Sequence, residues 1–505
     1  MCSFLRMVIA DAAVTALSAL TDPLILSFII LGTILGLVFG ALPGLGGATA
    51  IALLIPLTFG MDPLPAFALM AAAQGGATFG GSISAILINV PGTAPNAATL
   101  LDGHPLTKQG KSNIAIGAAA MSSALGALIG LAFLLISLPF IRRLLRLFGS
   151  PEFFLMAIFG LVVLAVVTRG SLLNGLIAGG AGIMLAFVGM NPVTGGARYT
   201  FGTTYLLDGA QLIPIIIGIF AIGEVIKLVS ENRTIATEVS GTGGSVIEGI
   251  RAATTHRWIL LKSSLIGMII GLVPGVGGVV ANFIAYMNAS QSVDEDNRFG
   301  EGDIRGVIAS EAANDAKDGG AMIPTIAFGL PGSVVWAVIL GALIVHGMVP
   351  GPRLLDENLD VVLIMILALI ISNILTSLIG ISISNHLTKI TRTNIMLVGP
   401  VIVVVSLLGA YIVRFVYFDA VLAAIFGVIG YLMVRYSFSR VPLLIGFVLG
   451  PIVETAFTQS MQLSGGSYGI FFNSPVSIII VLAIVLSLFY ALRDIAIEFR
   501  RYMPS

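Results

Sequence analysis

Charge, cysteine and histidine are all scarce in this sequence, and each scarcity closes off a class of protein. Only 10% of the 505 residues are Asp, Glu, Lys or Arg, against about 25% in ordinary soluble domains. So few charges cannot cover a water-facing surface, and most of the surface must face lipid. The balance is neutral as well, with 25 basic and 25 acidic residues. That leaves no basic footprint and no expectation of nucleic acid as a partner. Cys2 is the one cysteine, which excludes an internal disulfide framework and a cysteine-based metal or redox pair. The four histidines are scattered without metal-ligand spacing, so neither a metal nor a cofactor is expected. No cleavable leader is evident: Arg6 and Asp11 interrupt the first twenty residues, which read as a retained interfacial or first helix.

What is present is apolar and rich in glycine. Hydrophobic residues make up 57% of the chain, with 60 glycines, and the mean hydropathy is +1.05. Between Asp22 and Asp102 the only charged residue is Asp62, and uncharged runs recur at 112–141, 170–197, 263–293, 319–352, 361–388 and 455–492. A spanning helix needs about 20 apolar residues. The pattern predicts an all-α polytopic membrane protein with roughly ten to twelve crossings, some of them broken or re-entrant. Basic clusters at Arg142, Arg143 and Arg146, at Lys389 and Arg392, and at Arg493, Arg500 and Arg501 read as cytoplasmic ends.

One motif occurs twice. Residues 36–47 read GLVFGALPGLGG and residues 267–278 read GMIIGLVPGVGG, both G-x3-G-x2-P-G-x-G-G. Each is followed by a second signature, Gly80-Gly81 leading to Pro91-Gly92-Thr93 and Gly319-Gly320 leading to Pro331-Gly332-Ser333. From first to second proline the distance is 48 residues in one copy and 57 in the other, and the excess falls in the polar stretch Asn288–Gly306. The expected organisation is a first repeat over 1–230, a polar linker over 231–256 and a second repeat over 257–505.

Proline lacks an N–H and glycine tolerates unusual backbone angles, so Pro-Gly inside an apolar run breaks a helix. The freed backbone groups cannot face lipid and must line a cavity or pack inside protein. Matched breaks in two repeats are the best pointer to a carrier's site. Asn89, Pro91, Gly92 and Thr93 would form one hairpin tip, and Pro331, Gly332 and Ser333 the other. Their half-helix N-termini and hydroxyls suit two carboxylates of one substrate; ordinary helix capping by Thr93 and Ser333 is the competing reading. Gly44, Gly46, Gly275 and Gly277, with Asn282 beyond, could expose carbonyls to a cation, or could serve close packing.

Glu311, Asn314, Asp315 and Asp318 share one helix face. Intramembrane carboxylates are functional candidates, but Lys317, Arg305 and the polar residues 294–306 favour a solvated helix leading into the second tip. Asn314 is the residue of this group expected to reach the substrate. Asp102-Gly103-His104 with Lys108 and Lys111 reads as a polar loop stabilising the first tip; its glycines are too far apart for a P-loop. Arg169 and Arg414 read as span ends or inter-subunit salt bridges rather than ligands; Glu224 and Glu454 read the same way, with a neighbour as a partner for Glu454.

ALPGLGG and LVPGVGG, GGSISAILINVPGTAPNAATLLDGHPLTKQGK, and FGEGDIRGVIASEAANDAKDGGAMIPTIAFGLPGS with GALIVHGMVPGPRLL resemble the large membrane subunit of the tripartite tricarboxylate transporters, the TctA family. The likeness runs from about residue 20 to about residue 490. It implies a multi-pass protein of the bacterial inner membrane that imports a tricarboxylate such as citrate, or another organic acid, by symport with a cation. Sodium is the usual coupling ion, with protons the other choice. It further implies a small four-helix membrane subunit and a periplasmic solute-binding protein as partners, inverted repeats, an elevator-like moving domain, and no enzymatic activity; a homodimer is compatible with it. A passive pore would need charge rings or a repeated filter, an intramembrane enzyme a nucleophile with its base, and a membrane scaffold would have no need of matched breaks.

Overall fold

Asp22 and Pro23 start the first long apolar helix, α1 (Pro23–Ala41). The Asp22 carboxylate accepts the Leu24 N–H at 2.8 Å, and Pro23 sits where a helix start leaves a donor unpaired anyway. The computed structural model describes residues 2–167, 172–191, 194–231, 243–292, 298–391 and 395–502. These residues are overwhelmingly helical; one small antiparallel hairpin pairs Gly189–Met190 with Ala197–Arg198. Among them, 7 helices are long and apolar enough to cross a bilayer, and shorter apolar helices of 10–17 residues accompany them. Ile136, Phe140, Leu397, Leu408 and Leu486 are each more than half exposed. Apolar cover on this scale suits lipid and would be a liability in water. The fold is the all-α polytopic class that the composition predicts.

Two helix triplets place the motifs. The first is α1, α2 (Gly46–Thr58) and α3 (Pro63–Ile88); α4 (Ser112–Leu145) follows. The second is α5 (Arg257–Gly271), α6 (Gly277–Gln291) and α7 (Ile304–Phe328), and α8 (Leu359–Thr391) comes later. Gly32, Gly36 and Gly40 of α1 rest on the carbonyls of Leu69, Ala73 and Ala77 of α3, in the same order along both helices. The two helices therefore run parallel, and any Cβ on that stripe would strike backbone. Gly267 and Gly271 of α5 meet the carbonyls of Ala313 and Lys317 of α7 in the same way. The small-residue spacing ahead of each Pro-Gly break is thus a packing stripe.

Burial is deepest in α3 and α7. α3 is buried along its whole candidate span, and α7 is buried from Gly306 to Ala327. Each takes its second wall from the other part of the chain. Against α7 lies α4, with Gly126 and Gly130 on the carbonyls of Ala312 and Ala316. Against α3 lies α8, where the Ser372 hydroxyl donates to the Ala72 carbonyl at 2.7 Å.

Candidate functional site

The first break is built by backbone angles. Gly44 and Gly46 have φ of +87° and +60°, and Gly275 and Gly277 have +76° and +69°. These left-handed values favour glycine, and they turn the chain back into α2 and α6. Further on, α3 ends at Asn89 and α7 at Gly329, both left-handed with φ of 56° and 68°. Asn89 is exposed and holds the C-cap that Gly329 holds in the later part.

Beyond each cap the chain folds back on its own triplet. Gly92 donates its N–H to the Gly81 carbonyl at 3.3 Å. It lies so close to Gly40 of α1 that a Cβ would strike the Gly40 carbonyl. Gly332 occupies the matching place: a Cβ there would fall 2.6 Å from Ala321 Cβ and 2.9 Å from the Gly271 carbonyl oxygen. Gly275 then donates to the Pro331 carbonyl at 3.3 Å, and a Cβ on Gly46 would lie 3.6 Å from Thr93 Cγ2. In each part, the first break touches the second.

The two parts also touch each other here. Gly47 at the start of α2 packs against Gln74 and Val335, and Gly278 at the start of α6 against Lys317 and Pro95. Asn282 donates to the Pro95 carbonyl at 2.9 Å, while its buried Oδ1 has no partner. Gly46, Gly92, Thr93, Gly275, Pro331, Gly332 and Asn282 are therefore linked through this region, while Gly44 packs on Leu228, a Cβ on Gly277 would meet nothing within 4 Å, and Asn89 is exposed. Thr93 Oγ1 donates to Asn96 Oδ1, and Ser333 Oγ accepts the Trp336 N–H at 3.4 Å as the N-cap of the next helix.

A polar seam between α3 and α7 backs this region. Ser82 donates to Glu311 at 2.6 Å and Gln74 to Asp318 at 3.0 Å. The contacts run in opposite order along the two helices, which are therefore antiparallel. Thr99 and Ser123 also donate to Glu311, and Trp336 Nε1 donates to Asp318 at 3.0 Å. Lys317 bonds Asp318 at 3.3 Å and the Asn314 carbonyl at 2.6 Å. Asn96 links this seam to the first tip through Ser82 at 2.8 Å.

The expectation of a solvated helix here is overturned. Glu311, Asn314, Asp315, Lys317 and Asp318 are all buried, none more than 4% exposed. The physical reason lies in α4, whose glycines let α7 sink into the bundle, and in hydroxyl and amide donors from α3 and α4 that meet the carboxylates. Asn314 falls between Glu311 and Asp318 on the seam, and neither atom of its amide has a partner. Gln74, Ser82, Asn96, Thr99 and Ser123 escaped the sequence reading. The spacing of Gln74, Thr78 and Ser82 by four residues inside an apolar run is the signal that could have found the first two; the sequence carries no such signal for Asn96, Thr99 and Ser123.

The polar loop after the first tip is a short helix, Leu100–Lys108. Its Asp102 Oδ1 accepts the N–H groups of Gly300, Gly302 and Asp303 at 2.8–2.9 Å. Burial pushes the Asp102 carboxyl above its ordinary range, and these bonds with the Tyr286 hydroxyl pull it back. The described end of the polar stretch thus closes on the first tip's loop; residues 293–297 lie outside the described residues, as do Arg169 and the linker residues 232–242. Arg414 pairs with Asp419 at 2.8 Å, Glu224 with Arg440 at 2.6 Å and Glu454 with Arg198 at 2.7 Å. All three pairs form within the chain, where span ends or salt bridges between subunits are the expectation.

Lipid-compatible cover and apolar helices of full spanning length, with paired helix breaks that fold back on their own triplets, define a multi-pass α-helical membrane protein. The model of the tripartite tricarboxylate transporter TctA family matches residues 26–445. The chain belongs to that family, and is thereby a component of a tripartite transporter. It is 30% identical over 462 residues, 91% of each chain, to an uncharacterized 52.8 kDa protein of the TAR-I ttuC' 3' region of Agrobacterium vitis. It is also 30% identical over 211 residues to an uncharacterized protein of the TAR-II ttuC' 3' region of Agrobacterium vitis, covering 42% of this chain and 87% of the relative. No solved structure matches the chain.

Proposed function

We propose that this chain is the translocating subunit for a tricarboxylate or related organic acid, importing it across the bacterial inner membrane against its gradient by symport with a cation. The observation that carries this reading is the meeting of four helix breaks beside a buried polar seam. Gly275 bonds Pro331, Gly46 abuts Thr93, and Asn282 bonds Pro95. At Pro91-Gly92-Thr93 and Pro331-Gly332-Ser333, the N–H groups of Thr93, Gly332 and Ser333 would hold the substrate's carboxylates, since the Gly92 N–H is bonded to the Gly81 carbonyl, with Asn89 at the rim and Asn314 reaching from α7. The helix N-terminus behind Ser333 (Val334–Val345) favours an anion without any buried arginine, whereas Thr93 leads only into the 3-10 turn Ala94–Ala97. Gly44, Gly46, Gly275, Gly277 and Asn282 would offer backbone carbonyls and an amide oxygen to the coupling cation.

The chain is read as two inverted repeats about the linker 231–256, working with a small membrane subunit and a periplasmic solute-binding protein. Much of the substrate selection would belong to the binding protein. Reconstitution of all three components in vesicles tests the reading. Labelled citrate and other di- and tricarboxylates should accumulate only under an inward cation gradient. Flux that equilibrates without ever accumulating solute would instead make the protein a pore.

A further inference from the structure

A cavity of about 520 Å³, lined by none of the residues at the helix breaks, opens between the helix Leu172–Ala186, the hairpin that follows it and the helix Arg440–Leu463. Sites for small molecules span roughly 300–1,000 Å³, so it is large enough for a ligand. Leu212, Ile344, Phe447 and Val448 give it an apolar wall. Ile344 belongs to the helix Val334–Val345 that starts behind Ser333. Met190 and Leu207 also line the cavity and are 50% and 37% exposed, so the apolar wall continues to the surface. Its charged lining residues are Arg198, Asp208 and Glu454.

These charges restrict what can occupy it. Arg198 donates to both oxygens of Glu454, at 2.7 and 3.0 Å, and its guanidinium lies over the Phe187 ring. The Nε of Arg198 is buried and has no partner. A buried N–H without an acceptor is destabilising, and an oxygen in the cavity would satisfy it. Asp208 has an exposed side chain and an ion pair with Arg414 of 3.8 Å, while Arg414 is held more closely by Asp419 at 2.8 Å. One cation against two carboxylates leaves the lining with a surplus negative charge, which repels anions and attracts an ammonium. The occupant that fits is apolar along most of its length, with an oxygen acceptor and a cationic group at one end.

Its mouth lies where hydrocarbon meets water. Tyr199, Phe201, Phe415 and Tyr417 are each more than half exposed, and aromatic side chains collect at that boundary. The Tyr205 hydroxyl donates to Asp419 at 2.6 Å and its ring packs on Phe418, which ties the two aromatic loops together. Tyr199 and Phe201 hold left-handed backbone, with φ of 54° and 47°, a conformation unfavourable for bulky residues. Phe201 is 86% exposed, so contacts within the chain do little to offset that strain, whereas burial of the ring at the bilayer edge does. We propose that the cavity holds one acyl chain of phosphatidylethanolamine, with an ester or phosphate oxygen at Arg198 Nε and the ammonium at Asp208. The chain would lie against Ile344, so the lipid and the helix behind the second tip share a wall.

The test is thermal unfolding of the full chain in lipid-free detergent, titrated with phosphatidylethanolamine or with phosphatidylglycerol of the same acyl chains. Phosphatidylethanolamine should raise the wild-type melting temperature saturably, by about 2 °C or more well above half-saturation. Phosphatidylglycerol should need at least about threefold more lipid for the same shift. Asp208→Asn should respond to both lipids without preference, and Ala210→Phe, which puts a ring into the cavity, should lose nearly all of the shift. A wild type unmoved by either lipid overturns the proposal and leaves the cavity to a protein partner. An Ala210→Phe variant that responds as wild type does overturns the site, and equal half-saturation of wild type by the two lipids overturns the headgroup. Should Ala210→Phe fail to fold, Arg198→Met with Glu454→Met carries the test, because apolar residues can replace a buried ion pair without large loss of stability. Its half-saturating lipid concentration should rise at least about threefold, and an unmoved value overturns the site. Uptake plays no part in the readout, so failure here leaves the carrier reading standing.

Discussion

The Tyr286 hydroxyl donates to Asp102 Oδ2 at 2.8 Å, joining the turn after the first tip to a helix more than 180 residues away in the chain. The other oxygen of the same carboxylate holds the loop Gly300–Asp303. One buried side chain thereby fastens the polar stretch that distinguishes the two copies of the motif.

Asp102→Ala should therefore destabilise the protein severely. Three backbone N–H groups and a tyrosine hydroxyl lose a charged acceptor at once, at roughly 3 kcal/mol or more. Asp102→Asn keeps an acceptor oxygen and should cost less. Thermal unfolding in detergent distinguishes the two, and equal transitions for wild type and Asp102→Ala would show that the loop is held by other means.

The hydroxyls at the tips should matter for transport more than for folding. Ser333→Ala removes an N-cap, worth about 1 kcal/mol, and Thr93→Ala removes one bond to Asn96. The double variant should reach the membrane in normal amount and lose nearly all uptake. Wild-type uptake by the double variant would take the tip hydroxyls out of the site.

At Gly92 and Gly332 the obstacle is backbone on both sides. Gly92→Ala and Gly332→Ala should each cost about 1–3 kcal/mol through overpacking. Gly180 has nothing within 4 Å of a Cβ, so Gly180→Ala should be neutral or slightly stabilising. Melting temperatures of the three variants, measured side by side, check the contrast.

Glu311 accepts hydroxyl protons on both oxygens. In Glu311→Gln an NH2 group faces donors, so the change of one atom should cost about 2–4 kcal/mol. Adding Ser82→Ala and Ser123→Ala removes the facing donors and should recover part of the loss. No recovery would mean that the amide finds acceptors elsewhere.

The spans, the four breaks and their pairing were legible because each depends on local chemistry: runs without charge, and Pro-Gly where helix geometry fails. Gly36 and Gly40, or Gly267 and Gly271, announced a packing stripe by spacing alone. The burial of Glu311, Asp315 and Asp318 was not legible. It depends on which helix covers α7, and Gly126 and Gly130 meet Ala312 and Ala316 across nearly two hundred residues of chain. Local composition pointed the other way, since Lys317 and residues 294–306 look like a water-facing surface. Likewise, Asp102 next to His104 reads as an ordinary polar loop until Gly300–Asp303 closes on it.

The exchange of walls, with α4 against α7 and α8 against α3, bears on how such a chain can vary over time. A swap of residues 1–230 for the same stretch of a relative would leave α7 against a foreign α4 and α8 against a foreign α3. Both seams would have to be re-fitted at once. Substitutions at Gly126 or Gly130 must be answered on α7, and those at Ser372 on α3. The packing ties the two parts of this chain into a matched pair, so that a change in one constrains the other.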